Sequence, residues 1–357
     1  MKTLRIVLLA WAVGTPGCSA PPETPRNAWE GRAPGECADR ADNDADGLFD
    51  CADPDCAGAP DCSGEDGPFV DCDEVPDRPP RGERIPGARG YHGLAFDTAG
   101  LLVGSDNSSL IRVDRDGDAE VWVPGMGVLQ QMVFLPDGDL LVSGEDGGLR
   151  RVTPDGGVEV VAPDLHAYSV LLGPDGGVYS GSTLGAADTA VTRTDLSTGE
   201  STVIARLDEG IGARALNFNR DFSTLYIGSA GGLGTGALFA LAMDEDMEPE
   251  GDPELFADDL GLGWIDGIAV DACGQLYVPE SRSLSLYRVS PYGEVETYVD
   301  WSAAEEGYGH DVVFGSGVGG WSAEALHLPL PYWDNQVKEL RIGVPSRTWP
   351  GRVLNAP

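Results

Sequence analysis

Two groups of residues in this 357-residue chain have types and spacing suited to chemistry. The first is the run DNDADGLFDCAD at 42–53. Asp42, Asp44 and Asp46 take positions 1, 3 and 5 of a calcium loop, Gly47 the sharp turn, Leu48 the carbonyl position, and Asp50 and Asp53 positions 9 and 12. Alternate residues aim carboxylates at one centre, where a hard cation offsets their repulsion, so calcium is the expected cofactor. A solvated acidic spacer is the competing expectation. The second group is a column of polar residues, each just ahead of a repeated apolar run: His92, Gln130, Tyr168, Arg214, Asp266 and His310. Within it, His92, Asp266 and His310 form a set suited to zinc or another divalent transition metal. Two further arrangements stay open: an Arg214–Asp266 ion pair with the two imidazoles bonded to each other or to water, and ligand binding without metal.

The elements that must position this column are read from six repeated segments. They open at HGLAFDTAGLLVGS (92), QQMVFLPDGDLLVSG (130), YSVLLGPDGGVYSG (168), RALNFNRDFSTLYIGS (214), DGIAVDACGQLYVPE (266) and HDVVFGSGVGG (310). Each is an apolar strand, a tight turn and a second apolar strand, followed by two weaker ones such as SLIRVD and AEVWVP. Four short strands with turns need about 40 residues, which matches one propeller blade per repeat. The expected fold is therefore all-β, a six-bladed β-propeller of four-stranded blades, preceded by a small disulfide-rich, strand-poor module. Innermost strands line the channel, so the polar column should ring one mouth. No G-x-S-x-G nucleophile elbow is present. DRDGD at 114–118 reads as a strand-connecting turn, His166 and His327 as loop or strand-surface residues, and Trp264, Trp301 and Trp321 as wedges between blades.

The segments PDGDLLVSG and DGIAVDACGQLYVPE resemble the senescence marker protein/gluconolactonase/luciferin-regenerating enzyme superfamily and, more loosely, NHL-repeat propellers. That resemblance implies a divalent-cation site at the channel mouth, built from a Glu of the first blade, an Asn of the fourth and an Asp of the fifth. Such a metal polarises a lactone carbonyl or activates water. Residue by residue, only Asp266 matches. His92 holds the first-blade position, and Arg214, which repels a cation, the fourth. The broken set favours a ligand-binding or scaffolding role over the alternative, a metal-dependent lactonase or esterase-type hydrolase with His92, Asp266 and His310 as candidates. The Asp-rich run lacks flanking helix signals and resembles thrombospondin type 3 repeats and the Cys/Asp-rich segments of myxobacterial surface proteins.

The first residues read as an export address. Lys2 and Arg5 precede a short apolar run, and Gly14 to Ala20 form a small-residue break. Thr15-Pro16-Gly17-Cys18 resembles a bacterial lipobox, making Cys18 the lipidation site and Ser19 a mark for the outer membrane or cell surface. Secretion or release into the periplasm is the alternative. Without Cys18, six cysteines remain, five before residue 73, so Cys72 is expected to pair with the distant Cys273. Cys37, Cys51, Cys56 and Cys62 supply two more bridges in any of three pairings. The expected organisation is a signal peptide at 1–18, a tether at 19–35, a Cys/Asp-rich module at 36–73, a linker at 74–87, the propeller at 88–350 and a tail at 351–357. Residues 36–78 carry fifteen Asp and Glu, and the chain's net charge is −36, which argues against nucleic acid. Expected partners are a small molecule or an envelope protein, with membrane contact through the lipid only and the chain itself a monomer.

Overall fold

A computed structural model describes Cys37, Cys56, Ala59, Cys62 and residues 69–76, 82–145, 148–182, 184–301, 309–331, 335–348 and 352–356. Six four-stranded antiparallel sheets follow one another around a channel. Blade one comprises β3 (Ala95–Phe96), β4 (Leu102–Ser105), β5 (Leu110–Val113) and β6 (Ala119–Val123); blade two comprises β7 (Leu129–Phe134), β8 (Leu140–Gly144), β9 (Leu149–Val152) and β10 (Val158–Ala162). Blade three is β11 (Leu171–Leu172), β12 (Val178–Ser180), β13 (Ala190–Thr194) and β14 (Ser201–Arg206); blade four is β15 (Gly212–Phe218), β16 (Thr224–Ala230), β17 (Leu238–Ala242) and β18 (Glu254–Ala257). Blade five holds β19 (Ala269–Val270), β20 (Leu276–Glu280), β21 (Ser285–Val289) and β22 (Val295–Asp300). Blade six holds β23 (Val313–Phe314), β24 (Ala325–Leu330), β25 (Gln336–Arg341) and, from the far end of the chain, β2 (Glu83–Arg84).

The second strand of each blade is sandwiched between neighbouring blades, so it is apolar on both faces instead of alternating. LLVSG of β8 and LYVPE of β20 are buried throughout. The hairpin into β8 turns through Gly138 at φ +90°, a left-handed conformation that a side chain resists. Burial is organised by interface. One cluster joins blades one and two through Val103 and Leu129, another joins three and four through Tyr179 and Phe218, and Leu102, Trp321 and Val337 join six to one. Stacked around a ring, these wedges bury both faces of the inner strands and leave only the short outermost strands as edges.

Residues 74–87, expected as linker, contain β2, which pairs with β25 through Glu83↔Glu339 and Arg84↔Lys338. The last blade is thus completed by a strand that precedes the first, which locks the ring. The tail likewise contains β26 (Arg352–Leu354), parallel to β1 (Phe69–Asp71). Strands of two and three residues are too short to show a periodic pattern, so composition alone reads them as tether.

His327 is a second correction, since it is wholly buried in β24. Its Nε2 lies 3.3 Å from Glu339 Oε2, and Glu339 also takes the guanidinium of Arg115 from blade one. Burial alone would raise the Glu339 pKa, but His327 and Arg115 hold it well below the usual range. His166 is exposed, as expected of a loop. Trp321 and Trp301 fill blade interfaces, whereas Trp264 lines the channel mouth.

Cys72 is bonded to Cys273, and Cys37 to Cys56; Cys62 is also disulfide-bonded. Cys273 sits in the turn from β19 to β20, whose Asp271 side chain accepts from the backbone N–H groups of Cys273 and Gln275. That turn lies at the opposite end of β19 from Asp266. Cys18 and the run Asp42 to Asp53 lie outside the described residues. Among those described, no helix is long and apolar enough to cross a membrane.

Candidate functional site

The polar column does assemble at one channel mouth, and local backbone irregularities aim it. Pairing of β7 with β8 slips between Leu129 and Met132, and that of β15 with β16 between Ala213 and Ala215. A bulge breaks strand alternation, so successive side chains can face the same way. Gln130 therefore lines the mouth while Gln131 also reaches into the channel, and Arg214 sits at the bulge of blade four. Blade backbones crowd here. A Cβ on Gly93 would lie 2.3 Å from the Gln130 carbonyl oxygen, so the residue after His92 has no room for a side chain.

Contacts at the mouth join adjacent blades and also reach across the channel. The Tyr168 hydroxyl donates to the His310 carbonyl at 3.0 Å, linking blades three and six. The Arg214 guanidinium carbon lies 3.4 Å from the Tyr168 ring centroid, and Arg214 Nε donates to Asp266 Oδ1 at 2.7 Å. His92 and His310 meet through their Nδ1 atoms at 2.9 Å. One layer deeper, Gln131 Nε2 donates to the Asp266 carbonyl at 3.0 Å and to Asp311 Oδ1 at 2.8 Å. Asp311 Oδ2 accepts the Leu94 N–H at 3.4 Å, so blades one, two, five and six share a polar floor.

Electrostatics fix the protonation states. Burial pushes His92 down to about 3, reinforced by His310; burial also lowers His310. Both imidazoles are therefore neutral at pH 7, and one Nδ1–H donates to the other Nδ1. Burial would raise Asp266, but the adjacent Arg214 outweighs it and holds the carboxyl below its ordinary value. Asp311 has no such cation, and burial pushes it up to about 7.

Asp311→Asn tests that difference. A carboxyl raised in the fold contributes stability below its unfolded pKa near 3.9 and loses it as pH climbs through its folded pKa. Denaturant melts at pH 5 and pH 8 should show the variant gaining roughly 2–4 kcal/mol on the wild type between the two. A pH-independent difference would refute a raised Asp311.

The mouth opens into a cavity of about 600 Å³ lined by the whole column with Tyr91, Trp264 and Arg282 among others. Buried atoms there that lack a hydrogen-bond partner among the described residues include Gln130 Oε1, Asp266 Oδ2 and Trp264 Nε1. Trp264 is held by its own backbone N–H, which donates to Glu280 Oε1 at 3.0 Å. Two acceptors and one donor without partners are the complement of hydroxyl groups, which both donate and accept.

A metal fits this arrangement poorly. Among the described residues no three His, Cys, Asp or Glu side chains converge as a ligand set. The Nδ1 atoms of His92 and His310 are turned on each other, and Asp266 faces a guanidinium. The set His92, Asp266 and His310 is thus not gathered as metal ligands, and the guanidinium beside Asp266 disfavours a second cation there. Of the alternatives weighed from sequence, the ion pair with paired imidazoles describes the contacts. Gln131, Asp311, Glu280 and Arg282 belong to the site or its support and were not foreseen; only the doubled Gln in QQMVF hinted at two channel-facing residues.

No family model and no curated protein matches the chain. Solved structures do share its fold. A gluconolactonase from Xanthomonas campestris aligns with TM-score 0.60 and 17% identity over 74% of this chain and 90% of its own. Regucalcin from Agrobacterium tumefaciens, described as a calcium-binding protein, aligns with TM-score 0.60 and 17% identity over 79% and 98%. An auxiliary nutrient binding protein from Bacteroides thetaiotaomicron aligns with TM-score 0.57 and 12% identity over 73% and 70%. The fold is that of the gluconolactonase-like propellers, and one architecture carries both catalysis and binding among these neighbours.

Proposed function

We propose that this chain is an exported, lipid-anchored envelope protein whose propeller binds a small hydroxyl-bearing ligand at the mouth ringed by His92, Gln130, Tyr168, Arg214, Asp266 and His310. The observation that carries the reading is the set of partnerless buried atoms in one cavity, Gln130 Oε1, Asp266 Oδ2 and Trp264 Nε1 among them. A buried polar atom left unpaired costs about 1–3 kcal/mol, and a ligand hydroxyl recovers that cost. The nutrient-binding neighbours support binding as the role. Cys18 would carry the lipid, and Asp42, Asp44, Asp46, Leu48, Asp50 and Asp53 would hold calcium in the Cys/Asp-rich module at 36–73. The Cys37–Cys56 and Cys72–Cys273 disulfides support export, since such bonds persist in oxidising compartments.

Binding does not require a channel metal in this reading, and Arg214 argues against the hydrolase alternative. D-glucose and D-glucono-1,5-lactone serve as probes. Each should quench tryptophan fluorescence saturably, with no EDTA effect and no lactone turnover above buffer. Gln130→Leu, which removes one waiting acceptor, should weaken binding by about tenfold. No saturable quenching by either probe, or turnover that EDTA abolishes, would overturn the proposal.

A further inference from the structure

Beyond the floor made by Gln131 and Asp311, the channel widens into a second cavity of about 490 Å³. The later parts of the inner strands give it an apolar side, Phe96, Met132, Phe134, Leu171, Val313 and Phe314, while Asn217, Ser316, Ser346 and Thr348 line the rest. Its outer edge is a strap, residues 343–348, tied to blade five. The Ala272 N–H donates to the Pro345 carbonyl at 2.8 Å, and the Arg347 N–H donates to the Val270 carbonyl at 2.8 Å.

The strap carries one cation into this cavity. Arg347 is only 8% exposed. Its Nε donates to Asn217 Oδ1 at 3.1 Å and its Nη1 to the Asn219 carbonyl at 3.3 Å, both neutral acceptors. Neither bond uses Nη2. The Phe222 ring lies 4.7 Å from the guanidinium carbon and keeps that side dry. Among the described residues no carboxylate lines the cavity. Burial alone pushes Arg347 down to about 10, with no anion to offset it. A charged side chain this deep is ordinarily paired, because an uncompensated buried charge is costly. Among the described residues, the other deeply buried arginines have carboxylates: Arg214 has Asp266, and Arg115 has Glu339.

We propose that the lower cavity binds an amphiphilic monocarboxylate, its head group on Arg347 and its apolar body against Phe96, Phe134 and Phe314. This site is separate from the upper mouth and does not rest on the reading of that mouth. A guanidinium gives a carboxylate charge-assisted hydrogen bonds, which selects an anion over its neutral isostere. The apolar wall selects against small inorganic anions, which gain nothing from it.

Octanoate and octanamide are the probes, with the methionines of the mature chain labelled at their methyl carbons for NMR. Met132 lines the cavity, and Met132→Leu assigns its signal. Octanoate should shift the Met132 methyl saturably, with an affinity at least about tenfold above that of octanamide. Arg347→Met should abolish the preference, and Arg347→Lys should keep part of it. Equal affinities, an unmoved Met132 signal, or a full octanoate preference in Arg347→Met would each overturn the proposal. Should Arg347→Met fail to fold, the comparison of octanoate with octanamide in the wild type decides alone.

Discussion

Arg214→Met should destabilise the propeller by about 3–5 kcal/mol, the cost of leaving a buried charge without its partner. Asp266 is 1% exposed and relies on Arg214 Nε at 2.7 Å for its Oδ1. Its other oxygen lacks a hydrogen-bond partner among the described residues, and the nearby Ser281 hydroxyl is neutral and does not replace the charge of Arg214. The methionine still covers the Tyr168 face, which confines the loss to electrostatics and hydrogen bonding. Urea melts of the single variants and of Arg214→Met/Asp266→Leu separate the terms. The double variant should recover most of the stability, because removing both charges removes the desolvation cost as well. Neither variant should bind the upper-mouth probes.

The sign of the pH dependence gives a second handle on the same pair. Asp266 has a depressed folded pKa, so its stabilising contribution is present above its unfolded pKa near 3.9 and is lost as pH falls through the folded value. Without Arg214, burial dominates and the carboxyl moves above its ordinary value. The penalty of Arg214→Met should therefore be greater at pH 7 than at pH 4. A penalty below about 1 kcal/mol at pH 7, or one independent of pH, would mean that the pair is solvated and does not organise the mouth.

The column was legible because a propeller repeats. Six apolar openings align, and whatever precedes them must ring a mouth, so His92, Gln130, Tyr168, Arg214, Asp266 and His310 were placed by register alone. What lies beside the column was not legible. Gln131 depends on a bulge, and a bulge is a one-residue slip that leaves no mark in apolar periodicity. Asp311 follows His310 directly, and alternation would have sent it to the opposite face. His327 shows a different failure: in a strand buried on both faces, alternation with leucine does not mean exposure, and only Glu339 and Arg115 reveal why an imidazole is there. Arg347 lies beyond the last repeat, where no grammar applied. Strand β2 was hidden by its length.

Removing the Cys72–Cys273 bond should have the other large effect. The cysteines are 201 residues apart, and the chain-entropy model puts the ceiling for so long a loop near 5 kcal/mol, with native disulfides typically giving about 2–4. Cys72→Ser/Cys273→Ser should lower stability within that range. The loss should be local at first. The ring stays closed, because β2 still pairs with β25. What loosens is the small cluster of Val70, Ala272, Cys273 and Val344, with the parallel pair β1 and β26 beside it. Limited proteolysis should cut first within residues 69–76, while far-UV circular dichroism stays near that of the wild type. Because Cys273 and Asp266 lie at opposite ends of β19, upper-mouth binding should be unchanged. The strap that carries Arg347 is tied to the same turn through Ala272, so octanoate affinity in the lower cavity should fall. Loss at the upper mouth with the lower cavity intact would contradict this polarity and place Cys72 at the upper face.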